Sequence, residues 1–196
     1  MPRTLSPAEI EAFRDRLCDV AERLFARHGP DAVTVRQLAG ELGVSPMTPY
    51  RYFKDKDAML AAVRARAFDR FAAAMEEAYV CSVKDGGSAD GAYIDFALAN
   101  PAAYKLMFDV NQPTFAADPD LTRAMQRARA TMSLGVTGTG VPDSDVELLS
   151  HVIWAAMHGP IMLELAGMLR PPLDSRAILR ETMTLLLQGL RSRERA

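Results

Sequence analysis

The amino-acid sequence predicts an all-α protein in which an N-terminal domain of three helices precedes a larger helical region. Apolar residues recur at spacings of three and four along most of the chain, which is the period of a helix with one buried face. Residues that cap helices or stop them divide the chain into segments of helical length. No segment alternates polar and apolar residues as a half-buried strand would.

Composition indicates a soluble globular protein of one or two domains. The chain has 196 residues, 49% of them apolar and 24% charged, and a formal net charge of −2. A near-neutral average excludes no partner, because it can coexist with a local basic face. The N-terminus has no apolar signal core, and we expect no apolar run long enough to span a bilayer. The prediction is therefore a cytoplasmic protein without membrane contact. Cys18 and Cys81 are too few for a disulfide framework.

The first helix has a clear beginning and end. Ser6 and Glu9 have the spacing of a capping box, and Gly29 is placed to stop the helix. The residues that form its apolar stripe are Ile10, Phe13, Leu17, Val20 and Leu24. This pattern predicts one amphipathic helix over most of the first 28 residues.

A second, short helix is followed closely by a third. Thr34 and Gln37 predict another capping box, and Gly43 ends the helix. Only one residue then separates Gly43 from Ser45, which is itself a favourable N-cap. Two short helices joined by a tight turn that contains glycine match the helix-turn-helix motif.

The third helix is predicted to begin at two prolines. With Ser45 as N-cap, Pro46 takes the first helical position, where its missing N–H is of no consequence. Pro49 is then the fourth helical residue and forfeits at most the bond to the Ser45 carbonyl. Phe53 is the expected apolar anchor. The side chains that project from this short rod are Met47, Thr48, Tyr50, Arg51 and Tyr52. Hydroxyls, a guanidinium and an apolar tip on a rigid helix end suit a DNA groove.

The rest of the chain is predicted as helices separated by loops rich in glycine and proline. The predicted spans are 59–81, 92–100, a helix from Pro101, 121–134, 143–168 and 175–190. The span 143–168 is strongly apolar, and Gly159 with Pro160 is expected to kink it.

The N-terminal motifs resemble those of the tetracycline-repressor (TetR) family of bacterial transcriptional regulators. The residues that carry the resemblance are Thr34, the pair Leu38 and Ala39, the string LGVS at 42–45, the string YRYF at 50–53, and Lys56. The sequence departs from the family at Pro49, where leucine or another apolar residue is usual. This departure leaves the tilt of the recognition helix open.

The resemblance implies a DNA-binding site made of ten residues. They are Thr34, Arg36, Ser45, Pro46, Met47, Thr48, Tyr50, Arg51, Tyr52 and Lys56. Pro46 and Met47 match positions near base edges, and Arg36 is able to reach one. Thr48 and Tyr52 match phosphate contacts.

The remaining basic and aromatic positions extend this implied contact with the DNA backbone. Tyr50 matches a residue that touches phosphate and sometimes a base, and Lys56 matches a phosphate contact. For Arg51, a solvated surface arginine and a phosphate contact are equally good interpretations.

The C-terminal part carries a second resemblance. The string NPAAYKLMF at 100–108 and the set Trp154, His158 and Gly159 resemble the WHG-type ligand-binding domain of some family members. The implied pocket for a small apolar effector is lined by Phe68, Phe71, Met75, Tyr104, Met107, Phe108, Trp154, Met157 and His158. Most of these residues have a simpler interpretation as core side chains. A homodimer is expected through the last two helices, with Leu148, Leu149, Ile153, Leu179, Met183, Leu186 and Leu187 as candidates for burial.

Other functions receive little support from the sequence. His158 and His151 lie two helical turns apart, but no third group completes a metal site, so a buried, hydrogen-bonded His158 is the better interpretation. An enzyme with a helical, apolar active site lacks a nucleophilic or paired-carboxylate constellation. A protein-interaction module that has lost its DNA site does not explain why the DNA-facing residues are present.

We therefore predict a ligand-responsive regulator, by default a repressor, that an apolar effector releases from a palindromic operator. Residues 1–55 form the helix-turn-helix DNA-binding domain, and residues 56–196 form the helical ligand-binding and dimerisation domain. No catalytic residue, metal or cofactor is predicted. The partners are double-stranded operator DNA, a second copy of the chain and the effector.

Overall fold

The structure, a computed structural model, describes residues 6–85, 90–109, 118–136 and 141–193. The described residues form α-helices and one short 3₁₀ helix and contain no β-strand, which confirms the all-α class. The helices are α1 (Pro7–His28), α2 (Val35–Glu41), the 3₁₀ helix (Pro49–Arg51), α3 (Lys56–Asp85), α4 (Asp90–Ala99), α5 (Pro101–Met107), α6 (Pro119–Leu134), α7 (Asp143–Leu165) and α8 (Ser175–Arg193).

The chain divides into two compact units. The first contains the N-terminal residues up to Arg70 and residues 102–127, and the second contains residues 71–101 and those from 128 onward. Helices α3 and α6 each contribute their first part to the first unit and their second part to the second. The functional boundary at residue 55 stays a prediction, because compactness groups residues 56–70 with the helix-turn-helix segment.

Both predicted capping boxes are present in the first unit. The Ser6 hydroxyl accepts from the Glu9 amide at 3.3 Å, and the Glu9 carboxylate accepts from the Ser6 amide at 2.8 Å. Thr34 and Gln37 make the equivalent pair of bonds at the start of α2. After α2, Gly43 has a φ of 65°, a left-handed conformation that favours glycine. These local bonds explain why the ends of both helices are predictable from sequence.

The core of the first unit joins α1, α2, α3 and α5. Its buried members are Phe13, Leu17, Cys18, Val20, Ala21, Phe25, Val33, Leu38, Phe53, Met59, Leu60, Val63 and Leu106. Leu106 of α5 belongs to this cluster, although it lies far from the other members in sequence. The helix-turn-helix therefore shares its core with a helix from the second half of the chain.

Charged side chains fasten α3 to α5 and α6 within the same unit. Arg64, only 2% exposed, donates through Nη2 to the carbonyl of Met107 at 3.0 Å. Burial lowers the pKa of the Arg64 guanidinium, and the nearby Asp109 carboxylate opposes that shift. Asp69 accepts two bonds from Arg123, at 3.1 and 2.8 Å, and a third from Arg127 at 3.2 Å.

In the second unit, α7 packs against both α4 and α8. The buried residues of this unit include Phe71, Met75, Tyr93, Ile94, Phe96, Met157, Ile161 and Leu179. Helix α7 is continuous through Pro160, which is buried. The carboxylate of Glu164 accepts from the Ser175 amide at 2.7 Å and so joins the end of α7 to the start of α8.

Candidate functional sites

The recognition segment, which we define as residues 45–53, is not the α-helix that the sequence predicts. Residues 46–48 form a turn, and a 3₁₀ helix follows with Pro49 in its first position. Pro49 has no N–H to donate to the Ser45 carbonyl, and that carbonyl accepts from the Thr48 amide at 2.8 Å instead. The placement of Pro46 at the first position of a helix was therefore wrong. The bonding pattern tightens to i→i+3, which is the 3₁₀ geometry.

Pro49 and Phe53 hold the recognition segment against the rest of the first unit. Both side chains are buried, so proline fills the apolar position that leucine usually takes in the resembled family. The guanidinium carbon of Arg14 lies 4.4 Å from the centroid of the Phe53 ring. These contacts hold the backbone that carries the exposed side chains against α1.

Several of the predicted DNA-facing residues are exposed. Met47 is 68% exposed and Tyr50 48%, and Arg36, Pro46 and Arg51 are exposed as well. The Ser45 hydroxyl accepts from the Met47 amide at 3.4 Å. Most of the predicted DNA-facing residues are thus available for contact with a partner.

Tyr52 and Thr48 are half-buried. The Tyr52 ring stacks on Phe13 of α1, with the ring centroids 4.4 Å apart and the planes 28° apart. Arg14 donates to the Tyr52 carbonyl at 2.7 Å. Tyr52 therefore anchors the recognition segment to α1. This structural role is additional to the phosphate contact that was predicted for its side chain.

Lys56 and Asp55 organise the start of α3. The Lys56 ammonium donates to the carbonyl of Pro30 at 3.0 Å, and its side chain is half-buried. The Asp55 carboxylate accepts from the Ala58 amide at 2.8 Å, as expected of a capping residue. An ammonium group has three donor hydrogens, so the bond to Pro30 leaves Lys56 able to bind a phosphate.

The residues predicted to line the effector pocket are distributed between the two units. Phe68, Tyr104, Met107 and Phe108 belong to the first unit, and Phe71, Met75, Trp154, Met157 and His158 belong to the second. Within the first unit, Phe108 makes edge contacts with Phe68 and Tyr104. A single pocket lined by all nine residues stays a prediction.

An aromatic cluster in the second unit includes two residues that the sequence analysis missed. Phe71 makes edge contacts with Tyr93 and Phe96 of α4, each with centroids 5.3 Å apart. The Trp154 indole N–H donates to the Tyr93 hydroxyl at 2.9 Å. The Tyr93 and Phe96 spacing on α4 signals only a buried helix, and nothing local points to Trp154, 61 residues away.

The two histidines of α7 differ in environment. Burial lowers the pKa of His158 below its ordinary value. His151 lies 2.7 Å from the Arg129 guanidinium through Nε2 and 2.8 Å from the Glu147 carbonyl through Nδ1. Because a guanidinium only donates, Nε2 must accept and Nδ1 must carry the proton. In the described part of the chain, no group of three or more His, Cys, Asp or Glu residues has metal-binding geometry.

Helix α7 exposes an apolar face. Leu148 is 66% exposed, and Val152, Ala155 and Leu163 on α7 and Leu185 on α8 are also exposed. Of the predicted dimer residues, Leu149, Ile153, Met183 and Leu186 are partly buried, Leu179 is buried within its own chain, and the side chain of Leu187 lies outside the described residues. Leu179 is thus a core residue of the protomer.

Helix α7 also tests the expectation that the chain has no apolar run long enough to span a bilayer. With 23 residues, it is long and apolar enough by composition to cross a bilayer, contrary to that expectation. Only 22% of its most apolar 18-residue window is buried within the chain. Core helices of soluble proteins and signal sequences meet the same criteria of length and composition, so a single helix of this kind is weak evidence for a membrane span.

Comparison with known proteins gives consistent results over both parts of the chain. Residues 17–63 match the family of bacterial regulatory proteins of the tetR type, and residues 88–186 match the tetracyclin repressor-like C-terminal domain. The HTH-type transcriptional repressor Rv1474c of Mycobacterium tuberculosis is 30% identical over 138 residues, which cover 70% of this chain and 68% of that protein.

Two further proteins are similar along nearly the whole chain. The uncharacterized HTH-type transcriptional regulator Rv0681 of Mycobacterium tuberculosis is 24% identical over 189 residues, 95% of this chain and 84% of that protein. A solved structure of a protein of unknown function from Rhodococcus sp. RHA1 superposes with a TM-score of 0.70 and 26% identity, covering 94% of this chain and 96% of that one.

Proposed function

The chain belongs to the TetR family of bacterial transcriptional regulators, and we propose that it is a repressor which an apolar effector releases from a near-palindromic operator. The observation that carries the DNA-binding part is the recognition segment. Its anchors Pro49 and Phe53 are buried, whereas Met47 in the turn and Tyr50 and Arg51 in the 3₁₀ helix are exposed. A segment whose backbone is held by buried side chains and whose other side chains are exposed is suited to docking into a major groove.

The second part of the proposal is a homodimer formed by α7 and α8. The two helices pack together and leave Leu148, Val152 and Leu163 of α7 and Leu185 of α8 exposed. Two such helix pairs would bury these side chains in a four-helix bundle. Two-fold symmetry of the protein matches the two-fold symmetry of a palindromic site. The proposed location is the cytoplasm, where bacterial operator DNA is accessible to the protein.

The third part is an effector site within the second unit. Phe71, Tyr93, Phe96 and Trp154 form its aromatic cluster, and Met75 and Met157 are buried in the same unit. Small-molecule sites are mostly apolar with a few polar groups, a role that Tyr93 and His158 can take. Such a site favours an uncharged or weakly polar molecule. The effector acts only through unequal affinity for the DNA-bound and free conformations.

A gel-shift titration of the full chain with its own upstream DNA tests the proposal. We expect a discrete complex whose affinity falls as salt rises, because each phosphate contact contributes a slope of about 0.9 in log affinity against log salt. An unrelated duplex of the same length is the control. Equal affinity for both duplexes would contradict operator recognition, and no shift with either would favour the enzyme or interaction-module alternatives.

A further inference from the structure

The most exposed large apolar side chains of the first unit, among its described residues, lie in the recognition segment. They are Met47, at 68%, and Tyr50, at 48%. The Thr48 amide donates to the Ser45 carbonyl at 2.8 Å, and the Arg51 amide to the Thr48 carbonyl at 3.1 Å. Met47 in the turn and Tyr50 in the 3₁₀ helix are thus two exposed apolar side chains three residues apart.

The first six residues of the same segment, 45–50, lack the side chains that make bidentate hydrogen bonds with bases, and the exposed Arg51 follows them. Residues 45–50 are Ser, Pro, Met, Thr, Pro and Tyr. Arginine, lysine, asparagine and glutamine make the bidentate hydrogen bonds that distinguish guanine and adenine, and aspartate and glutamate accept from cytosine. None of these types occurs between Ser45 and Tyr50. An apolar side chain in the major groove has one base-specific apolar partner, the 5-methyl group of thymine.

We infer that Met47, with the exposed Tyr50 three residues away, selects operators by contact with the 5-methyl group of a thymine in each half-site. The inference rests on the proposed DNA binding and specifies what that site reads. The unbranched thioether of Met47 adapts its shape to the methyl group. The contact removes apolar surface of both partners from water. A cytosine at the same position has no 5-methyl group and would lose this contribution.

Replacement of thymine by deoxyuracil provides the test. The exchange removes only the methyl group and keeps every hydrogen-bonding atom of the base. The probe is the duplex that the wild-type full chain enriches from a random-sequence pool, with each thymine replaced in turn. At the position read by Met47, we expect dissociation constants about fourfold higher, the value of one buried methyl group.

Variants then assign the effect to the residue. Met47→Ala should bind the thymine duplex more weakly than wild type and be indifferent to uracil at that position. Met47→Leu should retain the preference, and Ile10→Ala, at an exposed apolar residue on α1, is the control. Tyr50→Phe should also retain it, because the ring remains.

Three results would overturn the inference. In the first, no uracil substitution weakens the wild-type complex, a result that does not depend on the folding of any variant. In the second, Met47→Ala loses affinity on uracil substitution as the wild type does. In the third, the pool yields no enriched duplex, and then the proposed DNA binding fails together with the inference. The first two results leave the proposed function in place.

Discussion

The ring of Tyr52 stacks on the ring of Phe13, with the centroids 4.4 Å apart and the planes inclined by 28°. The contact joins the last part of the recognition segment to α1. A single side chain thus combines a structural contact with a predicted phosphate contact, and the two roles are separable by mutation.

Tyr52→Phe should keep the stacking and lose only the hydroxyl. We expect an unchanged free energy of unfolding and weaker DNA binding, because one phosphate hydrogen bond is lost. Tyr52→Ala should also lower the free energy of unfolding by more than about 1 kcal/mol, since an aromatic pair contributes that much beyond its buried area. Urea unfolding and gel-shift titration measure the two effects. Equal DNA affinity of Tyr52→Phe and wild type would remove the phosphate role.

Lys56→Ala should weaken all DNA sequences about equally. The change removes one phosphate contact, so the slope of log affinity against log salt should fall by about 0.9 for each half-site. It also removes the bond to the Pro30 carbonyl, with a cost of about 1 kcal/mol in stability. Lys54→Ala is the matched control, because Lys54 is exposed two residues away. An identical salt slope for both variants would argue against a specific role of Lys56.

His158 should make stability depend on pH. Burial lowers its pKa below the ordinary value of 6.5, so the folded chain binds a proton at His158 less readily than the unfolded chain does. The free energy of unfolding should therefore fall as the pH drops below about 6.5, down to the lowered pKa. His158→Gln should lack this component in urea unfolding at about pH 7.5 and about pH 5.5. The control is His28→Gln, at an exposed histidine on α1, and an unchanged pH dependence in His158→Gln would contradict the prediction.

Leu148→Glu should dissociate the dimer without unfolding the protomer. Leu148 is exposed within one chain, so a charge there costs little until a second chain covers it. Val83→Glu is the control, since Val83 on α3 is equally exposed and lies outside α7 and α8. Sedimentation equilibrium should show monomers for Leu148→Glu and dimers for Val83→Glu. A tight dimer in both variants would place the interface elsewhere.

Trp154→Phe should weaken effector binding. The variant keeps an aromatic ring but loses the donor that holds the Tyr93 hydroxyl. A panel of uncharged apolar compounds, screened by the rise in Tm of wild type, identifies a ligand to titrate with and without operator DNA. The ligand should weaken DNA binding by about 1–3 kcal/mol, and DNA should weaken the ligand by the same factor. A ligand that binds wild type and Trp154→Phe equally would place the site away from this cluster.

The sequence by itself determined the fold class, the starts of α1 and α2 and the family. Capping boxes such as Ser6 with Glu9, and a turn glycine such as Gly43, act on backbone groups within a few residues. Interactions of so short a range are fully encoded in the local sequence. The glycine turn of the helix-turn-helix could be located for the same reason, whereas the DNA-facing residues were implied by the family resemblance and stay a prediction.

The tertiary structure decided the contacts between residues far apart in sequence. The packing of Leu106 into the core of the first unit, the bond from Lys56 to Pro30 and the bond from Trp154 to Tyr93 each join distant segments. Helical periodicity predicts which residues are buried, but it does not predict which residues they contact. The tertiary structure also decided between an α-helix and a 3₁₀ helix in the recognition segment, a choice that the sequence alone left open. Because Pro49 has no N–H, the Ser45 carbonyl can remain in an α-helix without this bond or accept from another amide. In the structure it accepts from the Thr48 amide in an i→i+3 turn, and Pro49 and Phe53 are buried.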